Sequence, residues 1–161
     1  MGRKSVHHMA FEDLAAVNRA VVALTGEGHA YSEADGRKLA ALAKEVEARA
    51  DNMSLEESIP EKASFLMFKT ASGQYFHAGN KRTALVAGAV FLLKNGYALN
   101  LRDPGLVDTV DRAGMGAATL DDVFAVVGTL LARTRSDRKR WDGVIASVVE
   151  ANKDFLAKLA A

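Results

Sequence analysis

The stretch with the clearest chemical potential is Phe76-His77-Ala78-Gly79-Asn80-Lys81-Arg82-Thr83-Ala84-Leu85. A loop containing glycine runs there into the apolar segment Thr83 to Lys94, which reads as the start of a buried helix. A helix N-terminus carries unpaired backbone N–H groups and the positive end of the helix dipole, so it attracts anions. Gly79 permits close approach of the backbone, Asn80 can cap, and Lys81 and Arg82 place two cations in the first turn. Cations there oppose the dipole and cost stability unless an anion offsets them, and a phosphate group is the natural candidate. The physics alone also allows a plainer arrangement, with Asn80 as a cap and Lys81 and Arg82 as solvated charges.

Other chemistries find less support. The chain has no cysteine, hence no thiolate nucleophile, disulfide or cysteine-ligated metal. His7, His8 and His29 read as surface residues, and no histidine pair has metal-ligand spacing within a helix, so no metal site is assigned. The run Arg133-Thr-Arg-Ser-Asp-Arg138-Lys-Arg140 holds five cations against one acid. A nucleic-acid patch would interleave stacking aromatics with such cations. Only Trp141 is near, so a solvated turn with its cations near the preceding helix C-terminus is the better reading and nucleic acid is not favoured.

These residues must be held by a domain of 161 residues with 21 basic and 20 acidic side chains, a net charge of +1. That length suits one domain, residues 1–161, and the near-zero charge argues against a nucleic-acid coat or a polycationic membrane binder. The basic start, Met1 to His8, has no apolar stretch behind it as a signal peptide would. Thr83 to Leu93 is about half the ~20 residues that cross a bilayer, so a cytoplasmic protein is expected, without membrane contact.

Helical periodicity runs through most of the chain. Phe11, Leu14, Val17, Val21 and Leu24 share one face of a first helix ending at Gly26. Ser32 caps a second, with Leu39, Leu42 and Val46 as its stripe. Asp51 to Ser58 reads as a polar loop or short flap, and Pro60 as the first turn of a third helix ended by Gly73. Tyr97 to Leu101 alternates as a brief extended segment, Asp103-Pro104 starts another helix, and Thr119 with Asp122 has capping-box spacing. A last helix spans about 138–159. The expected fold is all-α, about seven helices with a short flap.

The motif Gln74-Tyr75-Phe76-His77-Ala78-Gly79-Asn80-Lys81-Arg82, followed by Thr83-Ala84-Leu85 and Phe91-Leu-Leu-Lys-Asn-Gly96, resembles the Fic/Doc superfamily. The likeness is to the Doc (death-on-curing) type of toxin–antitoxin pairs, with a core over about residues 11–132 and an additional C-terminal helix. The family's loop reads His-x-Phe-x-Asp/Glu-Gly/Ala-Asn-Lys/Gly-Arg. The resemblance implies ATP as cofactor, its phosphates held at the loop–helix junction by Phe76, His77, Gly79, Asn80, Lys81 and Arg82. Most Fic proteins carry Gly after the Asn and transfer AMP to a protein hydroxyl. Doc-type members carry Lys, as at Lys81, and transfer the γ-phosphate, with elongation factor Tu as target class. A separate antitoxin protein is implied as partner.

Two positions depart from the pattern. The family's general-base His is Gln74, whose carboxamide has no useful pKa near neutrality, and base catalysis is typically worth ~10²–10⁴-fold. The acid that holds the family's Mg²⁺ is Ala78, leaving phosphates and water to hold that ion. His77, three residues on, is an imidazole that a reshaped loop would have to aim at a hydroxyl; a solvated or nucleotide-contacting role fits it better. Autoinhibited members carry a Ser/Thr-x-x-x-Glu-Gly/Asn helix whose Glu pairs with a second motif arginine. Ser147 to Asn152 misses that spacing and the second arginine's position is Leu85, so Glu150 is left without a partner and the last helix is read as packing. Gln74, Lys81 and Arg82 are the candidate catalytic positions. The functions that follow are an impaired or altered phosphate or AMP transferase, or an inactive pseudoenzyme that binds nucleotide or protein. A nucleic-acid-binding regulator is the weaker third.

Overall fold

The computed structural model describes residues 5–159 and is all-α, 66% helix and 3% strand. Its eight helices are α1 (Phe11–Ala23), α2 (Glu33–Ala48), α3 (Leu55–Gly73), α4 (Asn80–Lys94), α5 (Pro104–Gly114), α6 (Leu120–Leu130), α7 (Trp141–Ala151) and α8 (Lys153–Leu159). Two short strands, β1 (Tyr97–Ala98) and β2 (Ala132–Arg133), pair antiparallel with Tyr97 opposite Arg133.

The architecture is organised around α4. Its residues are apolar on all faces, so it must be surrounded, and eleven of its fifteen residues are buried. α1, α3, α5 and α7 all lie against it. Gly88 admits the closest neighbour: a Cβ there would stand 2.3 Å from Met67 Sδ of α3. Lys62 ties α3 to α2. Its side chain is fully buried, and Nζ donates to the carbonyls of Val46 (3.2 Å) and Glu47 (2.6 Å), where a cation offsets the negative end of α2.

Several local signals hold as written in the sequence. Ser32 accepts from Asp35 N–H, Asp103 from Leu106 N–H, and Thr119 and Asp122 form a reciprocal capping box. Four expectations need correction. α3 starts at Leu55, because Ser54 caps it by accepting from Glu57 N–H, with Glu56 and Glu57 favouring the dipole. Pro60 therefore lies inside the helix and not at its first turn, and the loop expected over Asp51–Ser58 shrinks to residues 49–54. The expected last helix over 138–159 begins at Trp141 and breaks at Asn152, whose side-chain N–H donates to the Val148 carbonyl, so the count rises to eight. Arg133, read as the start of a solvated turn, instead ends the two-residue strand Ala132–Arg133.

His8 sits against this core with its Nε2 buried and without a partner. Burial, followed by the nearby Lys62 charge, holds its pKa below the ordinary value. The unfolded chain thus takes up this proton first as pH falls through about 6.5. Stability is full above that point and declines below it. Urea titrations across pH 5–8 should show this slope, shallower in His8→Gln. Gly88→Val should lower stability by about 1–3 kcal/mol through overpacking against Met67, measurable in the same titrations.

Candidate functional site

The loop between α3 and α4 is held from both sides. Gln74 ends α3 in the left-handed region, φ 52° and ψ 46°, which is uncommon for a residue with a side chain. Tyr75 and Phe76 then turn inward and are buried. The Phe76 ring meets Tyr31 edge-on at 5.8 Å, and His29 at 6.0 Å, tying the loop to the α1–α2 connection. His77 N–H donates to the Ala30 carbonyl at 2.9 Å.

Asn18, fully buried on α1, holds the next residue. Its Nδ2 donates to the Ala78 carbonyl (2.8 Å) and to Thr83 Oγ1 (3.1 Å). Its Oδ1 lies 2.8 Å from His29 Nδ1 and accepts that ring's proton. Burial, then the Arg19 charge, holds the His29 pKa below its ordinary value, which keeps the ring neutral near pH 7.

Gly79 is the N-cap of α4, with φ +78°. A Cβ there would stand 2.9 Å from Val22 Cγ1 and 3.4 Å from both Asn18 Nδ2 and Arg82 Nη2, so conformation and space both require glycine. Asn80 does not cap the helix as its sequence position suggests. Its side chain turns back, accepting from Phe76 N–H (3.0 Å) and donating to the Phe76 carbonyl (2.8 Å). No side chain caps α4, and its first backbone bond runs from Thr83 N–H to the Gly79 carbonyl, so the amides at its start are open to an acceptor.

The two cations are not free. Lys81 Nζ lies 3.1 Å from Asp111 Oδ1 of α5. Arg82 is buried, which excludes the solvated-charge reading: Nη1 donates to the Val21 carbonyl (3.1 Å) and Thr25 Oγ1 (3.3 Å), Nη2 to Glu27 Oε1 (2.6 Å). Hydrogen bonds from Thr25, then Arg82, hold the Glu27 carboxyl below the usual carboxylate range, so it stays charged under neutral and mildly acid conditions.

Gln74, His77, Ala78, Gly79, Asn80, Lys81 and Arg82 line a cavity of about 350 Å³, together with Glu27, Asp111, Gly114 and Met115. The volume is at the small end of ligand pockets, which run ~300–1,000 Å³. Phe76 supports the cavity from beneath instead of lining it. The Gln74 amide donates to the Ala71 carbonyl at 2.8 Å, with Asn80 Nδ2 at 3.5 Å from its Oε1. It is thus part of the α3 terminus and offers no titrating group. His77 is exposed at the wall. Glu150 pairs with Lys153 at 3.0 Å and does not line this cavity.

Fit to Mg²⁺ is poor. The motif acid is Ala78, the two carboxylates present are each paired with a cation, and no group of three or more His, Asp or Glu among the described residues is arranged to hold a metal ion. Sequence reasoning missed Glu27, Asp111 and Asn18, since no local spacing links them to a motif thirty to sixty residues away.

A phosphate beside Arg82 competes with the Glu27 carboxylate for its charge. Glu27→Gln removes the competing charge while keeping an oxygen for Arg82, and should tighten binding of a polyphosphate probe several-fold by calorimetry. An unchanged affinity would show that Glu27 does not compete.

The Fic/DOC family model matches residues 4–92, which reaches into α4 and therefore crosses the whole cation-bearing loop. A search of curated proteins returns no match. The matched segment is more than half of the chain and ends inside the helix whose start forms the cavity, and on that evidence the chain belongs to the Fic/DOC family.

Proposed function

We propose that this Fic/DOC chain binds ATP by its phosphates at the start of α4, and transfers the γ-phosphate slowly to a protein Ser or Thr hydroxyl. The observation that carries the binding half is the uncapped α4 N-terminus, set beside Lys81 and Arg82 and closed by Gly79, where any side chain would be strained. Lys81 favours the Doc-like direction over AMP transfer, by family resemblance. Elongation factor Tu is the target class by the same resemblance, and an antitoxin is the expected partner.

In γ-phosphate transfer the target hydroxyl oxygen bonds to the γ-phosphorus, the bond to the β-phosphate oxygen breaks and ADP leaves. The transition state is loose, and most of the catalysis is positioning and charge stabilisation. Lys81 and Arg82, released from Asp111 and Glu27, supply that charge. Gln74 cannot take the hydroxyl proton, which passes to solvent, and the lost base slows the step by ~10²–10⁴-fold. Mg²⁺ finds no dedicated ligand in this cavity, so no step is assigned to it.

A second reading, a pseudoenzyme that binds nucleotide or protein and regulates without turnover, draws its support from the Gln74 amide fixed on the Ala71 carbonyl. Incubation with elongation factor Tu and cell lysate, using ATP labelled at the α- or γ-phosphate, separates the two. The proposal expects weak γ-label transfer, strengthened in Gln74→His. α-Label transfer would mean AMP transfer and overturn the direction assigned from Lys81. Transfer by Gln74→His alone would establish the pseudoenzyme. Silence from both would leave binding only. Lys81→Ala should weaken ATP binding by about tenfold, the worth of one charge-assisted hydrogen bond; unaltered affinity would refute the phosphate-clamp assignment.

A further inference from the structure

A cavity larger than the phosphate site lies at the other end of α4 and shares no residue with it. At about 1.5 Å per residue, the fifteen residues of α4 separate the two by roughly 22 Å. It encloses about 930 Å³ between the N-terminal arm, the start of α3, the end of α4 and the β1–β2 ribbon. Leu55, Ile59 and Tyr97 give it an apolar component, while Lys94, Arg133 and Arg138 make its rim basic. The arm is fastened to this wall by Asn95, which accepts from His7 N–H at 2.8 Å and donates to the His7 carbonyl at 3.0 Å.

The cations here differ in availability. Arg133 pairs with Glu56 and stands over the Tyr97 ring, and Lys94 stands 5.4 Å over Trp141 while donating to the Lys139 carbonyl. Asp137 pairs with Lys139. Arg135, Arg138 and Arg140 are exposed and enter no ion pair among the described residues. The basic run from Arg133 to Arg140 thus begins in β2 and supplies five residues of the cavity wall, with Arg138 on that wall and Arg135 and Arg140 exposed on the same run.

We propose that this cavity docks an acidic, partly apolar peptide segment of a partner protein. Charge complementarity comes from Arg138 on the cavity wall and from the exposed Arg135 and Arg140 of the same run, and the apolar component accepts aliphatic side chains from the same segment. β2 has β1 as its one strand partner among the described residues, so its other edge is open to an extended chain. A nucleic acid fits less well. Tyr97 and Trp141 each already have a cation over one face, which leaves less aromatic surface for stacked bases.

The test is fluorescence polarisation with a labelled peptide alternating Glu and Leu, run beside its Lys–Leu counterpart and a labelled single-stranded oligothymidine of equal charge. The Glu–Leu peptide should bind saturably and lose affinity with added salt. The Arg135→Glu/Arg138→Glu double variant, with an unaltered thermal melt, should weaken it roughly tenfold through reversed charge. Lys81→Ala and saturating ATP should leave it unchanged. Tighter binding of oligothymidine, absence of saturable peptide binding, insensitivity to the arginine reversals, or competition by ATP would each overturn the assignment.

Discussion

Burial of the Arg82 guanidinium between α1 and α4 is the constraint on which the rest of the site depends. A cation taken from water must find partners or neutralise, and arginine does not give up its proton. The partners come from the end of α1 and the turn behind it: the Val21 carbonyl, the Thr25 hydroxyl and the Glu27 carboxylate. That requirement brings α1 against the start of α4, where Gly79 has no room for a side chain and Asn18 can reach both Ala78 and Thr83. The loop is held by the same approach of α1 to α4 that this charge requires.

The same charge sets the character of the cavity. Glu27 and Asp111 leave both motif cations paired internally, so the site as it stands is closer to electrostatic balance than a row of Lys and Arg implies. A ligand gains from these cations only what exceeds the carboxylates it displaces, which favours a polyanion over a single phosphate.

Much of this was legible in the sequence, and the rest shows where local reading stops. The α4 segment is apolar all round, a pattern that only a central helix explains, and Ser32, Asp103 and Thr119 mark helix starts through contacts three residues long. Pro60 misled because proline suits a first turn, whereas Ser54 with Glu56 and Glu57 makes a stronger start upstream. Asn80 misled in a similar way: its amide finds two backbone partners at Phe76, and the cap position falls to Gly79. Glu27, Asp111 and the β2 strand depend on contacts between distant segments, and no spacing rule reaches them.

The left-handed backbone at Gln74 has a consequence for how the loop responds to change. Glutamine has no special aptitude for that conformation, whereas histidine occurs there several-fold more often than most residues. The main chain at this position is already in a shape that an imidazole accepts more readily than the side chain it carries. An imidazole there would keep the backbone as it stands and give up the Gln74 amide's bond to the Ala71 carbonyl. Histidine at position 74 would restore one of the two places where this loop departs from the family pattern, and Ala78 would remain the other.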